Sequence, residues 1–408
     1  MKIVIIGAGP AGVTAAETFR AHDRQTELVM LSAEPFPPYS PPAMVEHFLT
    51  GSNVHLWRGD DWPERLDVDY RSGTTVTAID SEAHNLSTLD GETLAYDKLV
   101  IATGSRLYAP LEGRDLPGVY NFKSLSAAEA LVQQVKSGAA TTALIVGAGF
   151  IGVEIALLLS DLGVEVTQVE MLDQVMPAML DPETAAFAQE EMNARGVDLR
   201  LSTEAAVILG EDRATGVQLK SGDVLLADVI IAATGVRPNI DFLEGSGIDY
   251  NWGISVDEFL RTNVQDVFAA GDVVESPDRL TGETFVHAIF PNATAQGNIV
   301  GLNLAGFEIT YEGADRMNSL KHLGLPIIAV GLKEGDEVLR SKHNGNLRTL
   351  YLKENRLVGF QLVGEVRAAG VLRALLLREQ DVRPIKDHLL AANFGQGTIT
   401  WEAISATP

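Results

Sequence analysis

The stretch that decides the fold is "KIVIIGAGPAGVTAAETFR", residues 2–20. An apolar run at residues 3–6 leads into three glycines spaced as Gly-x-Gly-x-x-Gly, and a helical pattern follows. This is the strand, turn and helix of a dinucleotide-binding fingerprint, in which the first glycine permits the turn, the second admits a pyrophosphate and the third allows close helix packing. The helix N-terminus then supplies N–H groups and a positive dipole end to the phosphates. The predicted contacts are Gly7, Gly9, Pro10, Ala11 and Gly12.

The same pattern occurs again in "TALIVGAGFIGVEIALLLSDLGVEVTQVE", residues 142–170. The repeat continues, because "LAYDKLVIATGS" at residues 94–105 resembles "LLADVIIAATGV" at residues 225–236. A duplicated unit arises by chance far less often than a single glycine turn, so we predict two nucleotide-binding units. The predicted contacts of the second fingerprint are Gly147, Gly149, Phe150, Ile151 and Gly152, and those at the two repeated strand ends are Ala102, Thr103, Gly104, Gly235 and Val236.

The acidic residues after the two fingerprints distinguish the two sites. Glu170 is the last residue of the strand predicted after the second fingerprint, placed to accept both hydroxyls of an adenosine ribose. A carboxylate there repels a 2′-phosphate, and no arginine follows directly, so NADH is favoured over NADPH. After the first fingerprint the strand ends at Ser32 and the acid comes two residues later. We assign the ribose contact to Glu34, with Ser32 as the alternative.

Composition limits the chemistry and the partners. With 408 residues, of which 46% are hydrophobic, the chain is too long for one ordinary core. It has no cysteine, which excludes disulfides, thiol nucleophiles and iron–sulfur ligation by this chain, so redox chemistry requires a bound cofactor. The net charge of −24 disfavours nucleic acid and anionic membranes. Lys2 leads directly into the first strand, so we expect a protein that is not exported and a cytoplasmic location. The longest apolar window, residues 143–159, carries three glycines and Glu154, so we expect no membrane span. No histidine spacing suggests a metal.

The charge is unevenly distributed along the chain. Residues 309–408 carry 13 Lys and Arg against 11 Asp and Glu, so the net negative charge belongs to residues 1–308. One interpretation is that the acidic residues form solvated faces. The other is that an acidic protein partner docks near the C-terminal quarter.

Together these motifs make the sequence resemble the two-nucleotide flavoprotein family that includes pyridine nucleotide-disulfide reductases, rubredoxin and ferredoxin reductases, nitrite reductase flavin domains and apoptosis-inducing factor. The resemblance includes "ATGVRPN" at residues 233–239, "VFAAGDVV" at 267–274 and "HAIFPNATAQGNIVGLNLAG" at 287–306. It implies an α/β fold with two Rossmann-like three-layer dinucleotide-binding domains and a C-terminal α+β domain. FAD would bind to residues 1–120 and 253–308, and NAD(H) to residues 121–252, with residues 309–408 as the third domain.

The resemblance also implies roles for residues outside the fingerprints. Asp272, after Gly271, would hydrogen-bond a ribityl hydroxyl of FAD. A helix predicted after Pro291 would direct its N-terminus at the flavin, with Asn292 and Ala293 as contacts and Phe290 packed near the isoalloxazine. Glu154 would lie near the nicotinamide amide and is the candidate catalytic residue. The alternative for Glu154 is a polar helix residue with a local partner.

The segment "FPPYSPPAMVEHFLTG", residues 36–51, carries Met44 where single-cysteine members of the family have their redox cysteine. Ser40 matches their serine, and Pro41 matches a proline of the ferredoxin reductases, while Val45 replaces the lysine of those reductases. Ser40 and Pro41 are therefore candidate FAD contacts. We interpret Met44 as core filler, since a thioether cannot form a thiolate or a disulfide. Electrons would then leave directly from the flavin.

The predicted function is an FAD-dependent NADH:acceptor oxidoreductase that reduces a carrier such as rubredoxin or ferredoxin. An NADH oxidase, or a reductase of quinones or other small molecules, is the alternative. An alternative of another class is a signalling or assembly flavoprotein similar to apoptosis-inducing factor. In the C-terminal domain we predict strands at residues 327–332, 347–352 and 357–363 and a helix at residues 366–377. By the resemblance, this domain would cover the flavin or form a homodimer interface.

Overall fold

The computed structural model describes residues 1–55, 59, 61–395 and 397. The chain forms two compact units. Unit 1 is Met1–Ala109, Tyr120–Ser137 and Gly235–Asp315, and unit 2 is Pro110–Val119, Gly138–Thr234 and Arg316–Pro408. The three-domain division expected from the sequence remains a prediction. Most of the C-terminal tail of the chain, "NFGQGTITWEAISATP", lies outside the described residues.

The strands have the following bounds. Up to residue 120 they are β1 (Lys2–Ile6), β2 (Glu27–Leu31), β3 (Asp69–Arg71), β4 (Val76–Asp80), β5 (Asn85–Thr88), β6 (Thr93–Ala95), β7 (Lys98–Ile101), β8 (Ser105–Tyr108) and β9 (Val119–Tyr120). Further along the chain they are β10 (Thr142–Val146), β11 (Glu165–Val169), β12 (Asp198–Arg200), β13 (Ala205–Gly210), β14 (Ala214–Leu219), β15 (Val224–Leu226), β16 (Val229–Ala232), β17 (Gly235–Pro238), β18 (Ile254–Ser255), β19 (Val267–Ala269), β20 (Val274–Pro277), β21 (Thr284–Val286), β22 (Met317–Leu320), β23 (Ile327–Gly331), β24 (Glu337–His343), β25 (Asn346–Lys353) and β26 (Arg356–Val363).

The α-helices are α1 (Pro10–His22), α2 (Met44–Thr50), α3 (Trp62–Arg65), α4 (Leu125–Lys136), α5 (Phe150–Asp161), α6 (Pro182–Ala194), α7 (Phe290–Leu304) and α8 (Ala369–Leu377). Short 3₁₀ helices span Pro41–Ala43, Asp241–Leu243 and Arg383–His388. None of the helices in the described part of the chain combines the length and the apolar composition needed to cross a bilayer.

Unit 1 is built on a parallel sheet in the order β19-β7-β1-β2-β3. Alternate residues of β1 belong to different hydrophobic clusters, because Ile3 and Ile5 pack with α1 and α7, whereas Val4 and Ile6 pack with residues of the antiparallel sheet β4-β5-β6. A parallel sheet buried on both faces produces this continuous apolar run in the sequence. Unit 1 therefore has three layers, as predicted.

Two glycines bring α7 against α1. A Cβ at Gly297 would lie 2.3 Å from the carbonyl oxygen of Ala11, and one at Gly301 would lie 2.7 Å from that of Ala15. The two helices can approach this closely only because these positions carry no side chain. The N-terminus of α7 is thereby fixed relative to the first fingerprint.

Unit 2 repeats the parallel arrangement. Its sheet has the order β12-β11-β10-β16-β9, in which the pairs β10–β11, β10–β16 and β11–β12 are parallel. The helix α5 follows β10 and packs on β10 and β11. The predicted α/β fold class is confirmed. The only adjustment here is that β11 ends at Val169, so Glu170 follows the strand instead of ending it.

The C-terminal part of unit 2 is an antiparallel sheet in the order β22-β23-β26-β25-β24, with α8 packed on it. The predicted strands are present, and Asn344 and Asn355 have positive φ at the tight turns that join the last three strands. The sequence analysis missed β22 and β24. It also placed the start of α8 three residues too early, at residue 366.

A buried carboxylate joins α6 to this C-terminal sheet. Asp181 caps α6 by accepting a hydrogen bond from the Thr184 N–H at 2.7 Å. The same side chain accepts hydrogen bonds from Arg340 at 2.5 Å and from the Tyr351 hydroxyl at 2.8 Å. Farther along the sheet, buried Arg348 donates to the carbonyls of Leu389 and Ala391, which holds the segment after the last 3₁₀ helix.

Candidate nucleotide-binding sites

The first and third glycines of each fingerprint are required by the packing of the protein itself. Gly7 has φ +108°, and a Cβ there would lie 2.1 Å from the Ala102 carbonyl oxygen. Gly147 has φ +99°, and a Cβ there would lie 2.6 Å from the Ala233 carbonyl oxygen. The third glycines are equally close to the first, since Cβ atoms at Gly12 and Gly152 would lie 2.0 and 2.4 Å from the Gly7 and Gly147 oxygens.

The middle glycines differ, because nothing in the protein requires them. In the described part of the chain, the Cβ position at Gly9 and at Gly149 has no atom within 4 Å beyond the adjoining backbone. Their φ angles, −77° and −70°, are ordinary for any residue. Each is the N-cap of its helix, α1 or α5, without a side-chain cap, so backbone N–H groups of the first turn are directed at an open space. This arrangement fits the pyrophosphate of a dinucleotide.

The remaining fingerprint residues form the first turns of the helices. Pro10 and Ala11 begin α1, where a proline loses no hydrogen bond, and Phe150 and Ile151 begin α5. Ala11 is buried, whereas Pro10, Phe150 and Ile151 are half-buried. The structure thus brings each predicted glycine turn together with its own helix N-terminus.

Asp272 lies in the turn between β19 and β20. This turn follows the carboxyl end of β19, as the first glycine turn follows the carboxyl end of the parallel strand β1. Its Oδ2 accepts hydrogen bonds from the Ser105 hydroxyl at 2.9 Å and from the Lys123 ammonium at 2.8 Å. The Lys123 and Asp272 side chains are only 18% and 16% exposed, so this is a largely buried ion pair. Sequence reasoning missed Lys123, because it lies 149 residues from Asp272 in the chain.

The N-terminal turn of α7 lies beside this Gly-Asp turn. Ala293 is buried next to Gly271, and the buried Gln296 side chain accepts a hydrogen bond from the Gly271 N–H at 2.7 Å. The Asn292 amide is turned elsewhere, since it both donates to and accepts from the backbone of Asp315. Its side chain therefore anchors a loop. Phe290 is the half-buried first residue of α7.

The two candidates for the first ribose contact are both engaged within the protein. Glu34 accepts hydrogen bonds from the Ser126 N–H at 2.9 Å and from the Tyr39 hydroxyl at 2.5 Å. The Tyr39 hydroxyl also accepts from the Leu125 N–H, so Glu34 and Tyr39 together cap α4. Ser32 is buried and accepts a hydrogen bond from the Glu34 N–H. Through Tyr39, the Glu34 carboxylate thus holds the segment of residues 36–51 at the start of α4.

The segment that carries Met44 forms two short helical turns. Pro41 begins a 3₁₀ turn that runs into α2, and Ser40 precedes it as the N-cap. Met44 and Val45 are 4% and 7% exposed, which confirms Met44 as a packed side chain.

The first repeated strand end lies in unit 1, whereas the second is divided, with Ala233 and Thr234 in unit 2 and Gly235 in unit 1. Thr103 and Gly104 are held by Asn239, through a hydrogen bond from the Thr103 hydroxyl to the Asn239 carbonyl and one from the Asn239 N–H to the Gly104 carbonyl. Gly235 and Val236 begin β17, which pairs with β8. Gly235 and Val236 fall in unit 1, whereas residues 121–252 were predicted as the NAD(H) domain, and their role as cofactor contacts stays a prediction. Ala102 is buried against Gly7.

Glu170 lies directly at the second glycine turn. Its Oε2 accepts a hydrogen bond from the Ala148 N–H at 2.8 Å, and its Oε1 accepts one from the Leu172 N–H at 3.0 Å. The carboxylate is therefore fixed beside the position where a pyrophosphate would enter. Each oxygen keeps further acceptor capacity for a ribose hydroxyl.

Glu154 lies one turn into α5 and is largely buried. Burial raises the pKa of its carboxyl to about 7, against the opposing effect of the Lys321 ammonium. Its Oε2 lies 3.9 Å from Nε2 of His322, which follows β22. The side chain can therefore hold or release a proton near neutral pH. Neither here nor elsewhere in the described part of the chain is a group of three or more acidic or histidine side chains arranged to hold a metal ion.

Comparison with known proteins agrees with this geometry. Residues 1–297 match the family model described as pyridine nucleotide-disulphide oxidoreductase. An NADH oxidase of Methanocaldococcus jannaschii is 30% identical over 92% of this chain and 90% of its own length. A rubredoxin-NAD(+) reductase of Pseudomonas putida is 28% identical over 91% of this chain and 98% of its own. Among solved structures, an NAD-dependent persulfide reductase from A. fulgidus superimposes with a TM-score of 0.87 and 26% identity, covering 99% of this chain and 83% of that one.

Proposed function

Because the chain belongs to the pyridine nucleotide-disulphide oxidoreductase family, we propose that it passes electrons from NADH, through FAD, to a small electron-carrier protein. The coarser prediction is confirmed: the protein is an NAD(P)H-dependent flavoprotein oxidoreductase whose cofactors are FAD and NAD(H). When bound, FAD supplies the capacity to take a hydride and to release its electrons to an acceptor. The chain contains no cysteine, so no thiol of the protein takes part.

The proposed FAD site is in unit 1. The open space at Gly9 and the N-terminus of α1 would hold the pyrophosphate, and Asp272 would hold the ribityl chain. Lys123 and Ser105 orient the Asp272 carboxylate, and the Lys123 ammonium balances its charge. We retain the N-terminal turn of α7 as a flavin contact through its backbone, because the Asn292 side chain is engaged with Asp315.

The proposed NADH site is in unit 2. The open space at Gly149 and the N-terminus of α5 would hold the pyrophosphate, and Glu170 would accept the hydroxyls of the adenosine ribose. Glu154 would orient the nicotinamide amide. A protonated carboxyl can donate a hydrogen bond to the amide oxygen, whereas a carboxylate can only accept one from the amide nitrogen.

The observation that carries this assignment is the pair of middle glycines. Gly9→Ala and Gly149→Ala each place a methyl group in open space, at a φ that alanine adopts freely, so both variants should fold. We expect Gly9→Ala to lower the bound FAD content and Gly149→Ala to weaken NADH binding while FAD content stays normal. Loss of FAD in Gly149→Ala, or unchanged NADH binding there, would contradict the assignment.

The acceptor is tested separately. Anaerobic protein is reduced with NADH or NADPH and then mixed with a purified rubredoxin or with air-saturated buffer, while flavin absorbance is followed. Faster reduction by NADH than by NADPH is expected because Glu170 repels a 2′-phosphate. Rapid reoxidation by the carrier supports the proposal. Equally rapid reoxidation by air alone supports direct reduction of oxygen. This is the second candidate function, because the M. jannaschii relative is named an NADH oxidase.

A further inference from the structure

The two fingerprints differ at one buried position that the glycine pattern does not include. In unit 1 the strand register pairs Ile5 with Met30, and in unit 2 it pairs Ile145 with Gln168. Because Ile5 and Ile145 each lie two residues before the first glycine, Met30 and Gln168 are structural equivalents. Both side chains are completely buried. The chain thus carries an apolar side chain beneath the first glycine turn and an amide of similar size beneath the second.

The amide of Gln168 is costly for folding. Its Oε1 is buried and has no hydrogen-bond partner among the residues that the structure describes. A buried acceptor without a partner loses its hydration and gains nothing in return, whereas methionine in the same volume carries no such penalty. Core packing alone therefore does not explain the glutamine.

The amide nitrogen of Gln168 forms a hydrogen bond with the second fingerprint. Nε2 of Gln168 donates a hydrogen bond to the Gly147 carbonyl at 2.9 Å, and a Cβ at Gly152 would lie only 3.1 Å from the same nitrogen. The orientation is fixed by chemistry, since only the NH₂ group can pair with a carbonyl oxygen. The missing side chain at the third glycine leaves the space that the amide occupies.

With this bond, each backbone polar group of Gly147 and Ala148 has a partner within unit 2. The Gly147 N–H donates to the Val169 carbonyl, and the Ala148 carbonyl accepts from the Met176 N–H. The Ala148 N–H donates to Glu170, and the Gly147 carbonyl accepts from Gln168. The turn is therefore held in place by protein groups alone. At the first fingerprint, the Met30 side chain has no N–H with which to do the same for Gly7.

We propose that Gln168 is a positioning residue for NADH, which holds the Gly147–Gly149 turn in its binding geometry while the site is empty. NADH must enter and leave in every catalytic cycle, whereas FAD remains bound and can itself hold the first turn. A preorganised turn avoids the loss of affinity that ordering a mobile one would entail. This inference rests on the proposed assignment of the second fingerprint to NADH.

The test is Gln168→Met, which gives the second unit the residue that the first unit already has. Its dissociation constants for NAD⁺, which cannot reduce the flavin, and for ADP-ribose, which contains the pyrophosphate but no nicotinamide, are measured by calorimetry on the oxidised, FAD-loaded protein. We expect both to rise about five- to tenfold, as for the loss of one hydrogen bond. The melting temperature should stay the same or increase, and FAD content should not change.

Gln361→Met is the matched control. Gln361 is also buried, accepts a hydrogen bond from the Asp181 N–H and donates one to the Met179 carbonyl, but it lies on β26 and neither bond reaches residues 147–152. It should lower the melting temperature and leave both dissociation constants unchanged. If Gln168→Met behaves in the same way, Gln168 has only a structural role and the inference is wrong.

Gly149→Ala separates failure of the inference from failure of the proposed function. If Gly149→Ala loses ADP-ribose binding while Gln168→Met binds as tightly as wild type, the positioning role is refuted and the NADH site stands. If both variants bind ADP-ribose normally, the second fingerprint is not the NADH site, and both proposals fall.

Discussion

Replacement of Glu154 by glutamine should raise the free energy of unfolding at pH 7 and above, because it removes a buried carboxylate. Burial raises the pKa of the Glu154 carboxyl from 4.5 to about 7. At 1.36 kcal/mol per pH unit, this difference corresponds to about 3 kcal/mol of folding free energy. Since the folded state holds the proton more tightly than the unfolded state, the wild type is penalised as pH rises from about 4.5 to about 7. Above pH 7 the penalty is constant.

The assay is urea unfolding of the FAD-loaded wild type and Glu154→Gln at pH 5, 6, 7 and 8. The variant should exceed the wild type by about 2–3 kcal/mol at pH 8, and most of that advantage should be gone at pH 5. His322→Gln is the control, because its imidazole Nε2 lies 3.9 Å from the Glu154 carboxylate. An advantage of Glu154→Gln that does not change with pH would refute the reasoning.

Three other predictions test the remaining contacts. Glu170→Ala combined with Met171→Arg should lower the preference for NADH over NADPH by about 100-fold in kcat/KM, since a repelling carboxylate is replaced by a cation near the 2′-phosphate; an unchanged ratio would place the ribose elsewhere. Asp181→Ala should cost about 3–5 kcal/mol in urea unfolding, because it leaves buried polar partners unsatisfied, whereas the more exposed Glu183→Ala should cost less than about 1 kcal/mol; equal losses would contradict this. Arg348→Met should cost about 2–3 kcal/mol and speed hydrogen exchange in the segment after the last 3₁₀ helix, whose carbonyls it binds; unchanged exchange there would show that other contacts hold the segment.

The elements that could be predicted from the sequence are those specified by short stretches. The fingerprints were recognisable because strand, glycine turn and helix follow one another within about 20 residues, and each part has its own physical signature. The strand β24 was missed for the opposite reason. Its sequence, "EVLRSKH", has only half-buried and exposed side chains at the edge of a sheet, so it lacks the alternation that marks a strand with one buried face.

The contacts that decide the roles of site residues are long-range, and no local pattern specifies them. Glu34 has the spacing of a ribose ligand, yet its carboxylate caps a helix 92 residues away. Asn292 has the position of a flavin ligand, yet its amide binds the backbone 23 residues later. In both cases the fold supplies a partner within the protein that residue type and spacing did not indicate. Residue type therefore predicts what a side chain can bind, and only the fold determines what it does bind.

The charge of the C-terminal quarter illustrates the same limit and bears on the electron acceptor. The near-balance of charge over residues 309–408 suggested a surface for an acidic partner. In the structure, however, Arg367, Arg383 and Lys386 each form an ion pair with a carboxylate of the same region, at 2.6, 2.5 and 2.6 Å. A cation already paired in this way contributes little long-range attraction to an approaching acidic protein. At these three positions a docking carrier would gain little from charge, and a small neutral acceptor would meet no electrostatic disadvantage there by comparison.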